Sequence, residues 1–136
     1  IIMNKIFSKI KKKTLLHIIS KSMPKKSKRL DLTEPKMSLQ VSRINLRNSI
    51  VKPHFNNKIK LNSGLNNQNE CWVVLNGKIS VTLFDIDKSK IKSLILSKGE
   101  ILITFGGGHC INQATSSAEI IELKLGPYTK NNLSYF

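Results

Sequence analysis

The chain has 136 residues, a formal net charge of +15 at pH 7 and a hydrophobic fraction of 40%. This length suffices for one domain whose core needs no disulfide staples. No apolar run approaches a membrane span, and the first twenty residues lack the hydrophobic block and cleavage site of a secretory signal. Two cysteines, Cys71 and Cys110, make no disulfide framework, so we expect a reduced, cytoplasmic protein.

The basic residues are concentrated near the start of the chain. Ten of the 23 precede Asp31, in a segment that contains no acid. Aromatic residues do not alternate with them, so a stacking platform for bases is missing and nucleic-acid binding is disfavoured. Ile6, Phe7 and Ile10 give this segment a partly apolar side, which would suit contact with an anionic membrane surface. A solvated basic arm is the favoured interpretation.

The arm comprises residues 1–37, with Met3 as a candidate natural start. The spacing of apolar residues predicts a helix from about Asn4 to Ser20, followed by an irregular stretch that contains Pro24 and Pro35.

From Ser38 onward, short apolar runs alternate with turn signals, which is typical of an all-β sandwich or barrel. The barrel is predicted to span residues 38–128, with a C-terminal tail at 129–136. The predicted strands are 38–46, 50–55, 70–76, 78–85, 90–96, 100–105, 109–114 and 118–125. Asn76-Gly77 predicts a tight hairpin, and further turns are predicted at 85–88, 97–99 and 115–117.

Side chains alternate along a strand, so Glu70, Trp72 and Val74 share one face, which we expect to point inward. The opposite face of the same strand, with a cysteine, a valine and a leucine, is also apolar and needs cover. The N-terminal arm or a second subunit could supply it, and a homodimer is favoured. Alternation also predicts that Ile79, Val81 and Leu83 face inward on the next strand. On the strand that leads to the three glycines, it places Ile101, Ile103 and Phe105 on one shared face.

Three separated segments carry the residue types of a metal site. The first is Pro53-His54-Phe55-Asn56. In the second, Glu70 opens an apolar strand that leads to Gly77, and in the third a strand starting at Gly99 runs through three glycines to His109. Carboxylate and imidazole groups on separate strands can converge inside a small barrel.

These segments resemble the two motifs of the cupin superfamily. Glu70 and Gly77 match the Glu-x6-Gly half of the first motif, and Asn56 stands where its second histidine would be. The stretch from Gly99 to His109 resembles the second motif, with Phe105 at its proline position. The ending Glu-Leu-Lys-Leu-Gly-Pro-Tyr at 122–128 is similar to that of small single-domain bacterial cupins found among surface-polysaccharide genes.

The resemblance implies a double-stranded β-helix, or jelly roll, with a divalent metal at the barrel mouth. Its ligands would be His54, Glu70 and His109, a set that suits Fe, Zn, Mn or Ni. Asn56 offers a neutral amide oxygen and lowers the expected affinity, so a metal-free site is the alternative.

Structural interpretations compete with this one. Glu70 could be an edge carboxylate paired with a lysine, His109 a turn residue after flexible glycines, and His54 a capped loop residue. These three residues occur together and in the order of the two cupin motifs, which favours a functional site over three unrelated structural roles. His17 lies in the basic arm and is interpreted as solvated.

The sequence therefore predicts a small dimeric cupin that binds a divalent metal, a small polar ligand, or both. Trp72, Phe105 and Asn56 are the predicted pocket residues. The resemblance alone suggests a sugar or nucleotide-sugar ligand in surface-polysaccharide synthesis. Whether the chain is an enzyme is left open: if it is, a metal-dependent isomerase, epimerase or oxygenase is expected, with Glu70 as ligand or base. The alternative is a metal-free binding or regulatory cupin.

Overall fold

The computed structural model describes residues 3–21, 28–57, 59–61, 64–66, 69–127 and 133–136. Over these residues the chain is all-β, as the sequence predicts, and they include no helix long and apolar enough to cross a bilayer. The strands in chain order are β1 (Met3–Phe7), β2 (Leu15–Ser20), β3 (Arg29–Asp31), β4 (Leu39–Asn45), β5 (Val51–Asn56), β6 (Ile59–Leu61), β7 (Gly64–Asn66), β8 (Glu70–Asn76), β9 (Lys78–Phe84), β10 (Lys90–Ser97), β11 (Ile101–Thr104), β12 (Gly108–Ala114), β13 (Glu119–Leu125) and β14 (Leu133–Tyr135).

Two five-stranded antiparallel sheets form the body of the molecule. The first has the order β10-β9-β12-β5-β14 and is called the β9 sheet below. The second has the order β11-β8-β13-β4-β3 and is called the β8 sheet. Two small hairpins, β1-β2 and β6-β7, stand apart from these sheets in the pairing scheme.

The hydrophobic core lies between the inner faces of the two sheets. From the β8 sheet come Trp72 and Val74, and from the β9 sheet come Ile79 and Val81, which are fully buried. Alternate residues of β8 are buried, which confirms the predicted inward face of that strand. In β9, Ile79 and Val81 are buried as predicted, whereas Leu83 is half-buried and Thr82 on the opposite face is buried as well. Each sheet thus contributes a single apolar inner face, as in a sandwich.

The eight strands predicted between residues 38 and 125 are confirmed, with each end shifted by one residue at most. The hairpin predicted at Asn76-Gly77 is wrong, because β8 belongs to one sheet and β9 to the other. Gly77 adopts a φ of 66°, and a Cβ there would collide with the Thr115 side chain and lie 2.8 Å from the Ala118 nitrogen. The glycine therefore serves a tight crossing between sheets rather than a turn within one.

The helix predicted from Asn4 to Ser20 is also wrong. This segment forms the hairpin β1-β2, whose turn has Lys13 at a φ of 69° and the Ser8 hydroxyl accepting the Lys11 amide at 2.8 Å. Isoleucine-rich runs this short fit helical and extended periods equally, and β-branched side chains favour the strand.

The division of the chain at residues 37 and 128 stays a prediction. Strand β3 lies before the first boundary and pairs with β4, while β14 lies after the second and pairs with β5. Tyr128, the last residue of the ending that resembles bacterial cupins, lies outside the described residues.

Candidate metal centre

Two histidines meet on the inner face of the β9 sheet. His54 in β5 and His109 in β12 are direct cross-strand partners, and both are buried. Their rings meet edge to face at 4.7 Å between centroids, and their Nε2 atoms are 3.1 Å apart. The register of β5 against β12 therefore aims both Nε2 atoms at one point.

The outer nitrogen of each ring has its own partner. His54 Nδ1 lies 2.8 Å from the Lys52 carbonyl oxygen, which can only accept, so Nδ1 carries the proton and Nε2 is left with its lone pair. His109 Nδ1 lies 3.0 Å from Thr104 Oγ1. Burial lowers the pKa of His54, which favours the neutral ring. Metal-binding histidines are commonly oriented by such bonds at the second nitrogen.

Glu70 reaches the same point from the β8 sheet. Its Oε2 lies 3.1 Å from His109 Nε2 and accepts a hydrogen bond from Asn56 Nδ2 at 2.6 Å. Its Oε1 accepts the Trp72 indole N–H at 2.8 Å and lies 3.7 Å from Lys124 Nζ. Burial acts to raise the pKa of Glu70, but the His109 bond and the Lys124 charge outweigh it and hold the pKa well below its ordinary value. The buried group is therefore a carboxylate.

The predicted ligand trio, His54, Glu70 and His109, is thus brought together, with one ligand atom from each residue within 4.8 Å of the others. A six-coordinate metal with bonds of about 2.1 Å holds neighbouring ligand atoms about 3.0 Å apart. The two 3.1 Å separations around His109 Nε2 match that spacing. Two neutral imidazole nitrogens and one carboxylate oxygen are also a donor set that suits divalent transition metals. The residues present fit the metal.

Asn56 lies two residues after His54 and therefore on the same face of β5. Its Nδ2 donates to Glu70, while its Oδ1 is buried with no hydrogen-bond partner among the described residues. An orphaned buried acceptor costs free energy unless a donor such as water reaches it. The amide thus leaves one acceptor free for a ligand or water at the predicted pocket position.

The two predicted aromatic walls differ in outcome. The Trp72 ring lies 4.4 Å from the His109 ring, so it walls the centre as expected. Phe105 does not, because 66% of it is exposed. In β11 the inward positions are Leu102 and Thr104, so Phe105, with Ile101 and Ile103, falls on the outer face. The prediction for Phe105 is corrected accordingly.

A cavity of about 640 Å³ opens beside the centre. Its apolar wall includes Trp72, Ile44 and Ile120, and its lining also includes His54 and Tyr135. This volume falls within the range of small-molecule sites.

The cavity lining also includes a polar group that the sequence motifs do not predict, formed by Arg29, Ser42 and Glu122. Arg29 donates to Ser42 Oγ at 2.9 Å and to Glu122 Oε1 at 3.3 Å. Burial, reinforced by the negative charge of Glu70, raises the pKa of Glu122. Glu122 and Lys124 share the inward parity of Ile120, so alternation along β13 was the signal that could have found them.

The competing structural interpretation of Glu70 holds in one respect. The carboxylate does have a lysine neighbour, Lys124, but β8 is a central strand between β11 and β13, not an edge. Nor do the histidines occupy solvated loops, since His54 and His109 are 4% and 1% exposed.

No protein-family model and no curated protein matches this sequence. Among solved structures, the coconut allergen cocosin is 19% identical with a TM-score of 0.54, covering 72% of this chain and 24% of that one. Procruciferin, the 11S globulin of Brassica napus, is 21% identical with a TM-score of 0.53, covering 72% and 23%. Oxalate decarboxylase of Bacillus subtilis, a protein with Mn(II) centres, is 18% identical with a TM-score of 0.55, covering 73% and 24%.

The chain thus spans about a quarter of the length of these proteins. At such identities the likeness shows the fold alone. The chain has the jelly-roll fold of the cupins, which is the fold that its sequence motifs predict.

Proposed function

We propose that this chain is a small metal-binding cupin that holds one divalent transition metal through His54 Nε2, His109 Nε2 and a Glu70 carboxylate oxygen. The observation that carries the proposal is the convergence of these three buried ligand atoms from two sheets. Fe, Zn, Mn and Ni all suit the donor set. The Mn(II) centres of the structurally similar oxalate decarboxylase support including manganese in the trial.

The cavity beside the centre is proposed to take a small polar ligand, with a sugar or nucleotide-sugar as the favoured class. A sugar ring presents an apolar face and a rim of hydroxyls. Here Trp72 and Ile120 offer an apolar wall, and Arg29, Ser42 and Gln40 offer polar groups. The resemblance of the chain ending to cupins from polysaccharide gene clusters supports the same class. The free thiols of Cys71 and Cys110 are consistent with a proposed location in the reducing cytoplasm.

A bound metal would supply Lewis acidity or an activated water, which isomerase, epimerase and oxygenase chemistry all use. The role of Glu70 follows from the contacts of its carboxylate. The Trp72 indole N–H and the Lys124 amino group hold Glu70 Oε1, and Asn56 Nδ2 donates to Oε2, so the carboxylate is fixed in place while Oε2 keeps a second lone pair for a metal. This supports Glu70 as a ligand and anchor rather than a general base.

A metal-free binding cupin is the second candidate, and one observation favours it. Lys124 Nζ lies 3.7 Å from Glu70 Oε1, and the lysine is only 8% exposed. A buried positive charge is therefore already present beside the carboxylate. A single proton between the two Nε2 atoms would complete that arrangement without a metal.

Titration of chelator-treated protein with Mn²⁺, Fe²⁺, Zn²⁺ and Ni²⁺ separates the two candidates. Trp72 is the single tryptophan of the chain and touches the His109 ring, so its fluorescence reports the centre directly. We expect saturable binding of one metal per chain, weakened at least about 10-fold in His109→Ala. His17→Ala, an exposed histidine in β2, is the matched control and should bind like the wild type. Equal binding by both variants, or none by the wild type, would reject the metal proposal.

The ligand class needs a separate trial. Thermal shift and Trp72 fluorescence with neutral monosaccharides, uronic acids and nucleotide-sugars would each report occupation of the cavity. A variant that fills the cavity, Ser42→Leu, should abolish the response while leaving the metal titration in place, because Ser42 contacts Arg29 and Asp31 rather than the metal ligands. A response that survives in Ser42→Leu would place the ligand elsewhere.

A further inference from the structure

The N-terminal hairpin β1-β2 ends in a turn that places one isoleucine among lysines. The turn comprises residues 8–14, with the sequence Ser-Lys-Ile-Lys-Lys-Lys-Thr. Ile10 is 98% exposed, the highest value among the large hydrophobic side chains of the described residues. It is flanked by four exposed lysines, Lys9, Lys11, Lys12 and Lys13. We call residues 9–13 the lysine tip.

The backbone of the turn holds the lysine tip in one conformation. Ser8 Oγ accepts hydrogen bonds from the amides of Ile10 at 3.1 Å and Lys11 at 2.8 Å. The Ser8 amide donates to the Thr14 carbonyl oxygen at 2.9 Å and closes the turn. Because the turn is closed in this way and Ile10 is almost fully exposed, its side chain projects from the end of the hairpin rather than packing against the strands.

One side of the hairpin continues the apolar character of the lysine tip. Ile6 pairs across the hairpin with His17, and Ile19 lies two residues from His17, so all three share this side. Ile6 and Ile19 are 41% and 43% exposed. Lys5 lies on the opposite side, where its Nζ meets Glu34 Oε1 at 3.5 Å. The side with the two isoleucines is therefore the free side of the hairpin.

The charge of the hairpin has a single sign. Residues 3–21 contain six lysines and no acidic residue. Lys5 is paired with Glu34, but the four lysines of the tip form no ion pair with any residue in the described part of the chain. Four uncompensated ammonium groups within five residues are complementary to a dense array of negative charge.

An anionic lipid surface fits both the charge and the apolar character of the lysine tip. Each lysine near such a surface strengthens binding roughly fivefold, so four lysines contribute several hundredfold. An isoleucine among them gains further by entering the boundary between headgroups and acyl chains. Nucleic acid would attract the same lysines through its phosphates, but it offers Ile10 no apolar phase. Single strands are also bound by stacking on aromatic side chains, and the tip has none.

We propose that the lysine tip docks this protein on an anionic membrane surface. The ammonium groups lie among the lipid headgroups, and Ile10 inserts between them. The free side of the hairpin, with Ile6 and Ile19, adjoins the tip and extends the contact. A contact of this size gives reversible, peripheral binding. The inference does not rest on the metal or the cavity, since residues 3–21 contribute to neither.

The first test is sedimentation of the full chain with vesicles. Phosphatidylcholine vesicles that contain about 30% phosphatidylserine supply the anionic surface, and pure phosphatidylcholine vesicles are the neutral control. We expect binding to the anionic vesicles alone, and we expect it to weaken as the salt rises from about 0.1 M to about 0.5 M, because salt screens exposed charges. A wild type that does not bind anionic vesicles at the lower salt would overturn the proposal.

Two triple variants separate the lysine tip from the net charge of the chain. Lys11→Gln, Lys12→Gln and Lys13→Gln together should weaken vesicle binding roughly 100-fold. Lys90→Gln, Lys92→Gln and Lys98→Gln together remove the same charge from exposed positions of β10 and the turn after it, and should weaken binding less than about 5-fold. Equal losses in the two variants would mean that overall charge, rather than the tip, drives binding.

The isoleucine has a matched control in another exposed turn. Ile86 is 84% exposed, but it stands between Asp85 and Asp87 rather than among lysines. Ile10→Ser should weaken binding to anionic vesicles at least about 5-fold, and Ile86→Ser should leave it unchanged. Duplex DNA is the competitor. If DNA binds the wild type more tightly than vesicles do and Ile10→Ser has no effect, the partner is nucleic acid and the membrane proposal fails.

A spectroscopic measurement tests the insertion of residue 10 directly. Ile10→Trp adds a fluorophore at the tip, and its emission should shift to the blue when anionic vesicles are added. Ile86→Trp should show no shift, and Trp72 contributes the same background to both variants. An Ile10→Trp spectrum that saturating anionic vesicles leave unchanged would overturn the proposal, whatever the lysine variants show.

Discussion

His54 and His109 face each other across the β5-β12 pair with their Nε2 atoms 3.1 Å apart, and Glu70 lies 3.1 Å from the second of these nitrogens. With this spacing, a single metal ion could bind all three residues after only small side-chain movements. Because the Lys52 carbonyl holds the proton of His54 on Nδ1, the lone pair that the ion would need is already directed inward.

Replacing Asn56 by histidine should strengthen metal binding. Asn56 lies on the same face as His54 and already reaches Glu70 at 2.6 Å, so an imidazole there is within range of the same centre. Exchange of a neutral amide for an imidazole should tighten the metal dissociation constant roughly 10-fold or more. Titration of Trp72 fluorescence with Zn²⁺ or Mn²⁺ measures the change.

Asn57→His is the matched control for this variant. Alternation turns residue 57 away from the centre, so its metal affinity should equal that of the wild type. If Asn56→His folds normally by circular dichroism and binds no more tightly than Asn57→His, the cluster is not a metal site in the form proposed.

Removing the charge of Glu70 should destabilise the metal-free protein. Glu70→Gln leaves the Lys124 amino group, 3.7 Å away and nearly buried, without its nearest carboxylate. Breaking a buried pair in this way typically costs about 3–5 kcal/mol of unfolding free energy. Urea unfolding in the presence of a chelator measures it.

The double variant Glu70→Gln, Lys124→Met isolates the pair. With both charges removed, the cost should fall well below the sum of the two single costs. Additive costs would show that Lys124 and Glu70 do not act on each other in the folded state.

The fold between residues 39 and 125 could be predicted because period-two alternation records which face of each strand is buried. The ligand trio could be predicted because His54, Glu70 and His109 each lie at an inward position of a predicted strand or at its end. What alternation does not record is which sheet a strand joins. The hairpin predicted at Asn76-Gly77 is wrong for this reason, because the chain crosses from one sheet to the other there.

The remaining errors have local causes. Alternation predicts that Phe105 shares a face with Ile101 and Ile103 but does not show which face of the strand is inside, and β11 turns this one outward. Glu122 and Lys124 were not assigned to the cavity, because charged residues in a strand are ordinarily solvated. Both share the inward parity of Ile120 along β13, and the central position of β13 between β8 and β4 makes that face interior.

Asp31 should make the stability depend on acid pH. Burial acts to raise the pKa of Asp31, but hydrogen bonds from Ser42 and Arg29 outweigh it and hold the pKa below its ordinary 3.8. A folded-state pKa below the unfolded value means that the stabilisation is complete above the unfolded pKa and is lost as pH falls through the folded one. Asp31→Asn should therefore be less stable than the wild type at pH 7, and the difference should close between about pH 5 and about pH 2. A difference that stays constant over that range would assign the loss to packing rather than to charge.

Truncating the core at Ile79 should cost far more than truncating an exposed isoleucine of the same sheet. Ile79 is fully buried between the sheets, and Ile79→Ala removes apolar contacts and leaves a cavity, at a cost of about 2–5 kcal/mol. Ile95 in β10 is 63% exposed, and Ile95→Ala should change the unfolding free energy by less than about 1 kcal/mol. Urea unfolding at fixed protein concentration compares the two. Similar costs would mean that Ile95 is covered in solution, which would contradict its exposed position at the edge of the β9 sheet.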